Sequence, residues 1–390
     1  MRSWTQILIF FLVLSAVVGG IHYYLYARLA RATGIEVWQR TGVWLFAASA
    51  VLLPLGMFAT RALPRKLANV VAYVNYTWMG LIILAFFLTV GTELVRLGAT
   101  ALTAAKLLPE DPNRRVFVSR VLSGFVGLAA LGLGGIGVAS TRGPVRVKPV
   151  KIELSRLPAA MSGFKVVQLS DIHIGPTIDG TFLKGVVDQV NALEPDLVAI
   201  TGDLVDGSVE ELREHVAPLA ALRAKHGVFF VTGNHEYYSG VDAWIEELGR
   251  LGVRVLRNER VSIGDDGASF DLAGIDDYRA KDFGRGHGAD LAKAVAGRDT
   301  SRELVLLAHQ PKHAFEAVKH GVGLQLSGHT HGGQIFPWGF MVKLDQTFVA
   351  GLDRLNDLQV YTSCGTGYWG PPMRVGAPAE ITLIELARAA

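Results

Sequence analysis

Four long apolar runs without a charged residue dominate the first third of the chain. Each run holds 20 to 26 residues, and half of all 390 residues are hydrophobic. A helix needs roughly 20 apolar residues to cross the hydrocarbon core of a bilayer. The pattern therefore predicts four membrane-spanning helices within a region that covers residues 1–145. The expected spans are about 4–26, 41–60, 69–92 and 121–141.

The pattern changes from about residue 146 onward. Short apolar runs rich in Val, Ile, Leu and Phe predict buried strands, and helical periodicity between them predicts helices such as 182–193 and 241–251. Strands that alternate with helices are typical of an α/β domain, here over residues 146–390. The predicted strands are 165–169, 197–200, 228–231, 270–273, 304–307 and 324–326.

Polar motifs directly follow five of these six predicted strands. In open α/β sheets, ligands bind beyond the carboxyl ends of the strands. We therefore expect the motif side chains to meet at one edge of the sheet. The motifs are Asp171-Ile-His173, Gly202-Asp203, Gly233-Asn-His-Glu236, His309-Gln-Pro311 and Gly328-His-Thr-His331.

The residue types in these motifs favour hydrolysis at phosphorus with two metal ions. Carboxylate, imidazole and amide-oxygen ligands suit manganese, iron or zinc. Two such ions can clamp a phosphoryl group and convert a bound water to hydroxide near neutral pH. A nearby imidazolium can protonate the leaving oxygen, and His235 is the candidate. The motifs thus predict a metal-dependent phosphoric ester hydrolase that uses metal-activated hydroxide and two divalent ions (Mn, Zn or Fe).

In this order the motifs resemble the calcineurin-like metallophosphoesterase superfamily, whose pattern is D-x-H, G-D, G-N-H-[DE], H and G-H-x-H. The resemblance covers about residues 150–390. The helical leader and the tail Gly365–Pro372 resemble a membrane-attached branch with four N-terminal transmembrane helices. The resemblance implies a four-layer sandwich, in which two mixed sheets are flanked by helices, preceded by an all-α four-helix transmembrane region.

The resemblance also implies the role of each motif residue. Asp203 would bridge two metal ions, and His235 would contact the scissile phosphate without binding metal. The other ligands would divide into two sets: Asp171, His173 and His331 on one ion, and Asn234, His309 and His329 on the other.

Several polar residues near the motifs have other expected roles. Glu236 is expected to support a ligand, and Asp206 to be a loop or helix-cap residue. Asp276 and Asp277 follow a predicted strand, and we expect them to lie at the surface or behind the ligands. The histidines outside the motifs are expected at the surface, with His313 not reaching the site: His215, His226, His287, His313 and His320.

Two apolar segments, Ile335–Met341 and Tyr368–Pro372, admit two interpretations. They either form a lip that admits a lipid tail, with Arg374 receiving a phosphate, or they pack within a small C-terminal sheet. Some members of the superfamily cleave the pyrophosphate of UDP-diacylglucosamine, but no residue of this chain indicates that substrate. Anchoring raises the effective concentration of substrates at the membrane surface, so we expect a membrane-associated, lipid-linked phosphoester or pyrophosphate substrate. The alternatives are the same chemistry on soluble nucleotides or sugar phosphates, and a catalytically silent metal-binding scaffold.

Charge adds few constraints. The first 145 residues carry a net charge of +9 and the remainder −6, which together give the overall +3. The basic residues therefore lie beside membrane helices, and no nucleic acid partner is expected. We expect a multi-pass protein of the cell membrane. Basic residues are equally numerous on both sides of the predicted spans, so the face that carries the catalytic domain stays open. The predicted spans hold no charged residue, which favours an anchor over a transporter.

Overall fold

A computed structural model describes residues 4–265, 267–284 and 286–389. The chain folds into two compact units. The first runs as far as Val138 and also contains Pro371–Met373, and the second begins at Ala139 and contains the rest of the chain.

Helices form the first unit. Two short turns, a π-helical Tyr26–Ala30 and a 3-10 Arg31–Thr33, follow the first helix. By length and composition, four helices are long and apolar enough to cross a membrane. This agrees with the four predicted spans. The helices are α1 (Trp4–Leu25), α2 (Glu36–Ala62), α3 (Arg65–Ala104) and α4 (Pro112–Ala139).

Three of the helices, α2, α3 and α4, extend beyond the charge-free runs that predicted them. At a rise of 1.5 Å per residue, the 40 residues of α3 span about 60 Å, well over the thickness of a hydrocarbon core. Its extension contains Glu93, whose carboxylate accepts hydrogen bonds from Arg28 Nη2 at 2.9 Å and Tyr24 OH at 3.0 Å. The predicted spans hold no charged residue, whereas the folded helices carry charges outside those spans. Glu93 is one of them, and it pairs with Arg28 and Arg96.

Two six-stranded sheets form the centre of the second unit. The strands are β1 (Arg146–Leu154), β2 (Phe164–Leu169), β3 (Leu197–Ile200), β4 (Val228–Phe230), β5 (Arg254–Val255), β6 (Glu259–Asp265), β7 (Ala268–Gly274), β8 (Leu304–Leu307), β9 (Leu324–Ser327), β10 (Gly351–Leu355), β11 (Leu358–Thr362) and β12 (Glu380–Arg388). Their order is β1-β12-β2-β3-β4-β5 in the first sheet and β10-β11-β9-β8-β7-β6 in the second. Both sheets are mixed, because β12 pairs antiparallel with β2, and β6 and β10 pair antiparallel with β7 and β11.

Helices cover the outer face of each sheet. The first sheet is covered by α5 (Gly180–Ala192), α6 (Val209–Val216) and α8 (Val241–Arg250), and the second by α9 (Leu291–Ala294) and α10 (Ala314–Ala317). Two further short helices are α7 (Asn234–Ser239) and α11 (Gly339–Val342). Successive strand residues point to opposite faces, and β3 shows the consequence. Leu197 and Ala199 pack in the core shared by the two sheets, whereas Val198 and Ile200 pack in a core with α5, α6 and α8. A third core joins the second sheet to α9 and α10. These layers confirm the predicted four-layer architecture.

All six predicted strands are present, as β2, β3, β4, β7, β8 and β9, and their ends agree within two residues. The predicted helices 182–193 and 241–251 correspond to α5 and α8. The expectation that all motifs lie at the edge of one sheet is wrong. The strands β2, β3 and β4 belong to the first sheet, and β8 and β9 belong to the second. The site therefore forms where the carboxyl ends of strands from both sheets converge.

Candidate metal centre

Three side chains from the loops after β2 and β9 form the first donor group. Asp171, His173 and His331 each place one donor atom within 4.8 Å of the others. The Nε2 atoms of His173 and His331 are 3.1 Å apart, and His331 Nε2 is 3.5 Å from Asp171 Oδ1. Two facing ring nitrogens with a carboxylate beside them are the arrangement that a bound divalent cation would use.

Asp203, His309 and His329 form the second donor group. His309 Nε2 is 3.1 Å from Asp203 Oδ2 and 3.1 Å from His329 Nδ1. The same Asp203 oxygen is 3.8 Å from Nε2 of His173, which belongs to the first group. Asp203 therefore lies between the two groups.

Asn234, the first residue of α7, adds an unpaired oxygen to this region. Its side chain is 7% exposed, and its Oδ1 has no hydrogen-bond partner within the described part of the chain. A buried acceptor without a partner destabilises a fold by about 1–3 kcal/mol. A metal ion would satisfy this oxygen.

Burial favours the neutral forms of several donors. It raises the pKa of the Asp171 carboxyl, lowers the pKa of His331 well below its usual value, and lowers the pKa of His329 to about 3. For His309, burial would also lower the pKa, but Asp203 raises it well above the usual value. Imidazole and carboxylate donors together suit divalent ions of intermediate softness. The donor set thus fits two metal ions.

The backbone is strained where it presents these donors. Five of the seven predicted ligands have positive φ angles between 51° and 70°, a region that non-glycine residues rarely adopt. Such strain is concentrated at functional sites, where the surrounding structure enforces it. The five residues are Asp171, His173, Asp203, His329 and His331.

Close backbone approach also depends on glycine. At Gly328 a Cβ atom would overlap the side chains of Ser170 and Asp171. The following amide, that of His329, donates to both Asp171 oxygens at 2.9 and 3.0 Å. Glycine at position 328 therefore lets the loop after β9 lie against the first predicted ligand.

Glu236 supports the loops around Asp203, as expected. It is 1% exposed, and its carboxylate accepts hydrogen bonds from the amides of Gly233 (2.7 Å), Leu204 (2.8 Å) and Asp203 (3.0 Å). Burial, followed by the Asp203 charge, raises the pKa of Glu236 to about 7. This side chain joins the loop after β3 to the loop after β4.

Asp206 has a larger role than its expected place as a loop or cap residue. Its Oδ1 lies 2.5 Å from His235 Nδ1, and its Oδ2 lies 3.2 Å from His173 Nδ1. Burial would raise the pKa of the Asp206 carboxyl, but His173 and His235 hold it well below its usual value. The sequence places Asp206 three residues after Asp203, but its contact with His235, 29 residues later, depends on how the loops after β3 and β4 pack.

His235 is held as a cation by these carboxylates. Burial alone would lower its pKa, but Asp203 and Asp206 raise it to about 9. Its amide also donates to Asp203 Oδ1 at 2.9 Å. His235 lies within 4.8 Å of donors from His173 and Asp203 as well, so distance alone would allow it to bind metal. Its Nδ1, however, already contacts Asp206.

Other polar residues lie outside the donor groups. Asp276 pairs with Arg257 at 2.6 Å, and Asp277 accepts hydrogen bonds from Gln310 at 3.0 and 3.2 Å. Both aspartates are buried, so they support the site region rather than face solvent. His313 was expected at the surface, but it is 7% exposed, and burial lowers its pKa to about 4.

The two apolar segments are only partly open to solvent. Ile335 and Tyr368 are buried, whereas the side chains between Phe336 and Leu344 include several exposed apolar groups. The hypothesis that Arg374 receives a phosphate is wrong. Its guanidinium is 3% exposed and donates to the carbonyl oxygens of Gly367 (2.8 Å), Ala377 (2.9 Å) and His331 (3.3 Å).

Comparison with known proteins agrees with this geometry. Residues 164–333, which contain all seven predicted ligands, match the calcineurin-like phosphoesterase family. A cattle (Bos taurus) "Transmembrane protein with metallophosphoesterase domain" is 45% identical over 66% of this chain and 60% of its own length. The zebrafish (Danio rerio) protein of the same name is 37% identical over 79% of this chain and 71% of its own length.

A bacterial relative extends the comparison. An "Uncharacterized metallophosphoesterase" of Helicobacter pylori is 39% identical over 70% of this chain and 73% of its own length. The chain thus spans about 60 to 73% of the length of these three relatives. It belongs to the calcineurin-like metallophosphoesterases, a family of metal-dependent phosphoric ester hydrolases.

Proposed function

We propose that this chain is a membrane-anchored phosphoesterase of the cell membrane that hydrolyses a phosphoester or pyrophosphate bond with two divalent metal ions. The main support is the convergence of two donor groups that share Asp203, with a cationic His235 beside them. When bound, the two ions would polarise the phosphoryl group and lower the pKa of a water molecule. The ligands are assigned as follows: Asp203 to both ions; Asp171, His173 and His331 to one; Asn234, His309 and His329 to the other.

His235 supplies the proton in this reaction. A water oxygen bonds to phosphorus, the bond from phosphorus to the leaving oxygen breaks, and the His235 imidazolium transfers its proton to that oxygen. Asp206 contacts Nδ1 at 2.5 Å, so it orients the ring and stabilises the imidazolium. We therefore assign His235 to proton transfer rather than to metal binding.

The proposed substrate is membrane-associated and lipid-linked. One support is the set of four helices able to cross a membrane, because anchoring raises the effective concentration of a substrate held in the same bilayer. The other is an exposed apolar segment directly after the last metal motif, which we call the apolar lip. Contiguous exposed apolar side chains typically mark sites that bind a lipid or another partner. The lip consists of Phe336 (63% exposed), Trp338 (46%), Phe340 (64%), Met341 (46%) and Leu344 (79%).

The test uses the full-length protein purified in detergent, stripped of metal and reloaded with Mn²⁺, Zn²⁺ or Fe²⁺. Hydrolysis of a lipid-linked pyrophosphate is compared with hydrolysis of a sugar phosphate and a nucleotide. The variants are Asp203→Asn and His235→Asn, and the matched control is Asp353→Asn, an exposed aspartate on β10.

We expect metal-dependent turnover in the wild type and in Asp353→Asn, and its loss in the other two variants. His235→Asn should retain metal, measured by atomic emission, because it is assigned to proton transfer. Turnover restricted to the soluble substrates would overturn the lipid assignment. Bound metal without turnover of any substrate would favour a silent scaffold.

A further inference from the structure

Two aromatic side chains, Tyr238 and Trp369, lie beside His235, a third, Phe283, lies beside Tyr238, and all three are about half exposed. Tyr238 is 56% exposed, Trp369 is 55% exposed and Phe283 is 43% exposed. The ring centroid of His235 is 5.2 Å from that of Tyr238 and 5.6 Å from that of Trp369. Phe283 follows at 5.5 Å from Tyr238. Together they form a continuous row of rings beside the proposed proton donor.

Trp369 is fixed in place by the metal loop. Gln334, three residues after the ligand His331, accepts a hydrogen bond from the Trp369 amide at 3.0 Å and donates one to its carbonyl at 2.9 Å. The Gln334 side chain is 8% exposed. This two-point contact holds the Trp369 backbone, so the indole stays beside His235.

Tyr238 and Phe283 are also held firmly. Tyr238 lies on α7, the helix that begins with Asn234 and His235. Phe283 lies 5.5 Å from the ring of Tyr237, which is 6% exposed and packs with Val241 and Ala280. Tyr238 is therefore positioned by the helix that carries Asn234 and His235, and Phe283 packs on Tyr237 of the same helix.

The rings beside His235 lie on the side of the site where the leaving group would depart. A proton donor must lie within hydrogen-bond reach of the oxygen it protonates. Because His235 protonates the leaving oxygen, the group attached to that oxygen must pass next to His235. The rings that contact His235 are thus placed to contact the leaving group, whereas the phosphoryl group that is retained lies at the metal ligands.

We propose that Tyr238, Phe283 and Trp369 form a leaving-group subsite that binds an apolar alcohol or an apolar phosphate ester. This inference rests on the proposed function and deepens it. The apolar part of the substrate is attached to the departing oxygen, and the part that stays on the metal-bound phosphorus is small or polar. An apolar group that covers half-exposed aromatic rings binds favourably, because the contact removes apolar surface from water.

Two series of phosphodiesters separate the two sides of the substrate. In the first, a methyl group is retained, and the leaving phenol carries a para-methyl or a para-butyl group, which leaves its acidity almost unchanged. In the second, the leaving 4-nitrophenol is constant, and the retained group is methyl or butyl. The full-length, metal-loaded protein is assayed with both series at one detergent concentration, so partition into micelles is the same for every variant.

We expect kcat/KM to favour the butylphenyl over the methylphenyl leaving group by about tenfold, since burying three further methylene groups is favourable. Trp369→Ala, Tyr238→Ala and Phe283→Ala should reduce this preference to about twofold or less. The preference in the retained-group series should be close to one in every variant. Trp369→Phe should restore most of the preference, because it keeps an aromatic ring.

The matched control is Phe315→Ala, which removes a phenylalanine that is 49% exposed and packs against Phe348. It should keep the wild-type preference. Equal butyl preference in both series, or a leaving-group preference unchanged in the three variants, would overturn the subsite while leaving the phosphoesterase intact. Absence of turnover in the metal-loaded wild type would instead overturn the proposed function.

Discussion

The two units of the chain use apolar and polar residues in opposite ways. In the helical unit, large apolar side chains point outward, for example Trp44 (77% exposed) and Leu128 (76% exposed). In the second unit, Asp171 and His309 are completely buried. The first pattern suits hydrocarbon as the solvent, where outward apolar groups are stable. The second exists because the buried groups face each other around a site that metal ions can occupy. Exposed apolar side chains are thus the expected pattern in the helical unit, whereas buried polar side chains mark the candidate site in the second unit.

The largest expected effect on activity comes from removing one buried charge in the second unit. Asp203→Asn removes the carboxylate that lies between both donor groups, and kcat/KM should fall about a thousandfold or more, because this electrostatic contribution acts directly at the reacting group. Steady-state hydrolysis measures the effect, and circular dichroism should show unchanged helix content. Activity within tenfold of the wild type would contradict the bridging role.

Asp206→Asn tests whether a second, partly exposed carboxylate acts through His235. It should lower kcat about a hundredfold, the lower end of the range for general acid catalysis, and change KM little. Asp206→Glu should recover part of kcat because it restores the negative charge. If Asp206 were only structural, both substitutions would lower activity and thermal stability together.

A pair of leucines compares burial in the two units directly. Leu306 on β8 is fully buried, whereas Leu128 on α4 is 76% exposed. Leu306→Ala should lower the free energy of unfolding by about 2–5 kcal/mol, because it removes core packing. Leu128→Ala should change it by less than about 0.5 kcal/mol. Chemical unfolding of the full chain in detergent measures both. Similar losses in the two variants would contradict the outward placement of Leu128.

Metal removal should destabilise the second unit alone. When the free ion concentration is about a hundred times the Kd, each bound ion contributes about 2.7 kcal/mol, and two ions contribute about 5.4 kcal/mol. Chelation should then lower the melting temperature of that unit by roughly 10–20 °C. Differential scanning calorimetry measures the shift. The double variant Asp171→Asn with Asp203→Asn provides the control, since it should show no shift on chelation. A chelator-induced shift in that variant would place the bound metal elsewhere.

Much of the second unit could be predicted from its sequence. The strands β2, β3, β4, β8 and β9 are short and buried on both faces, so they appear as continuous apolar runs. Six strands were not predicted: β1, β5, β6, β10, β11 and β12. β1 is mostly solvent-accessible and carries Lys148, Pro149 and Lys151, so it lacks such a run. Its partner β12 became recognisable only through pairing with β2.

The candidate site was predicted less completely. The motifs indicated which residues could bind metal, and the structure brings their donor atoms together. The contact between Asp206 and His235 was not expected, although the spacing of Asp203 and Asp206 is local. His235 lies 29 residues after Asp206, so their contact depends on how the loops after β3 and β4 pack. The same holds for Arg374, whose guanidinium binds backbone carbonyls rather than a phosphate.

By itself, the sequence determined the four apolar helices, the alternation of strands and helices, and the set of metal-binding residue types. These depend on local periodicity and on chemistry that each residue carries with it. Only the tertiary structure decided that two sheets share the site, that Glu93 lies inside a helix with Arg28 as its partner, and that Tyr238 and Trp369 lie beside His235. These arrangements join residues that are distant along the chain. The packing of whole elements brings such residues together, and local sequence patterns do not encode it.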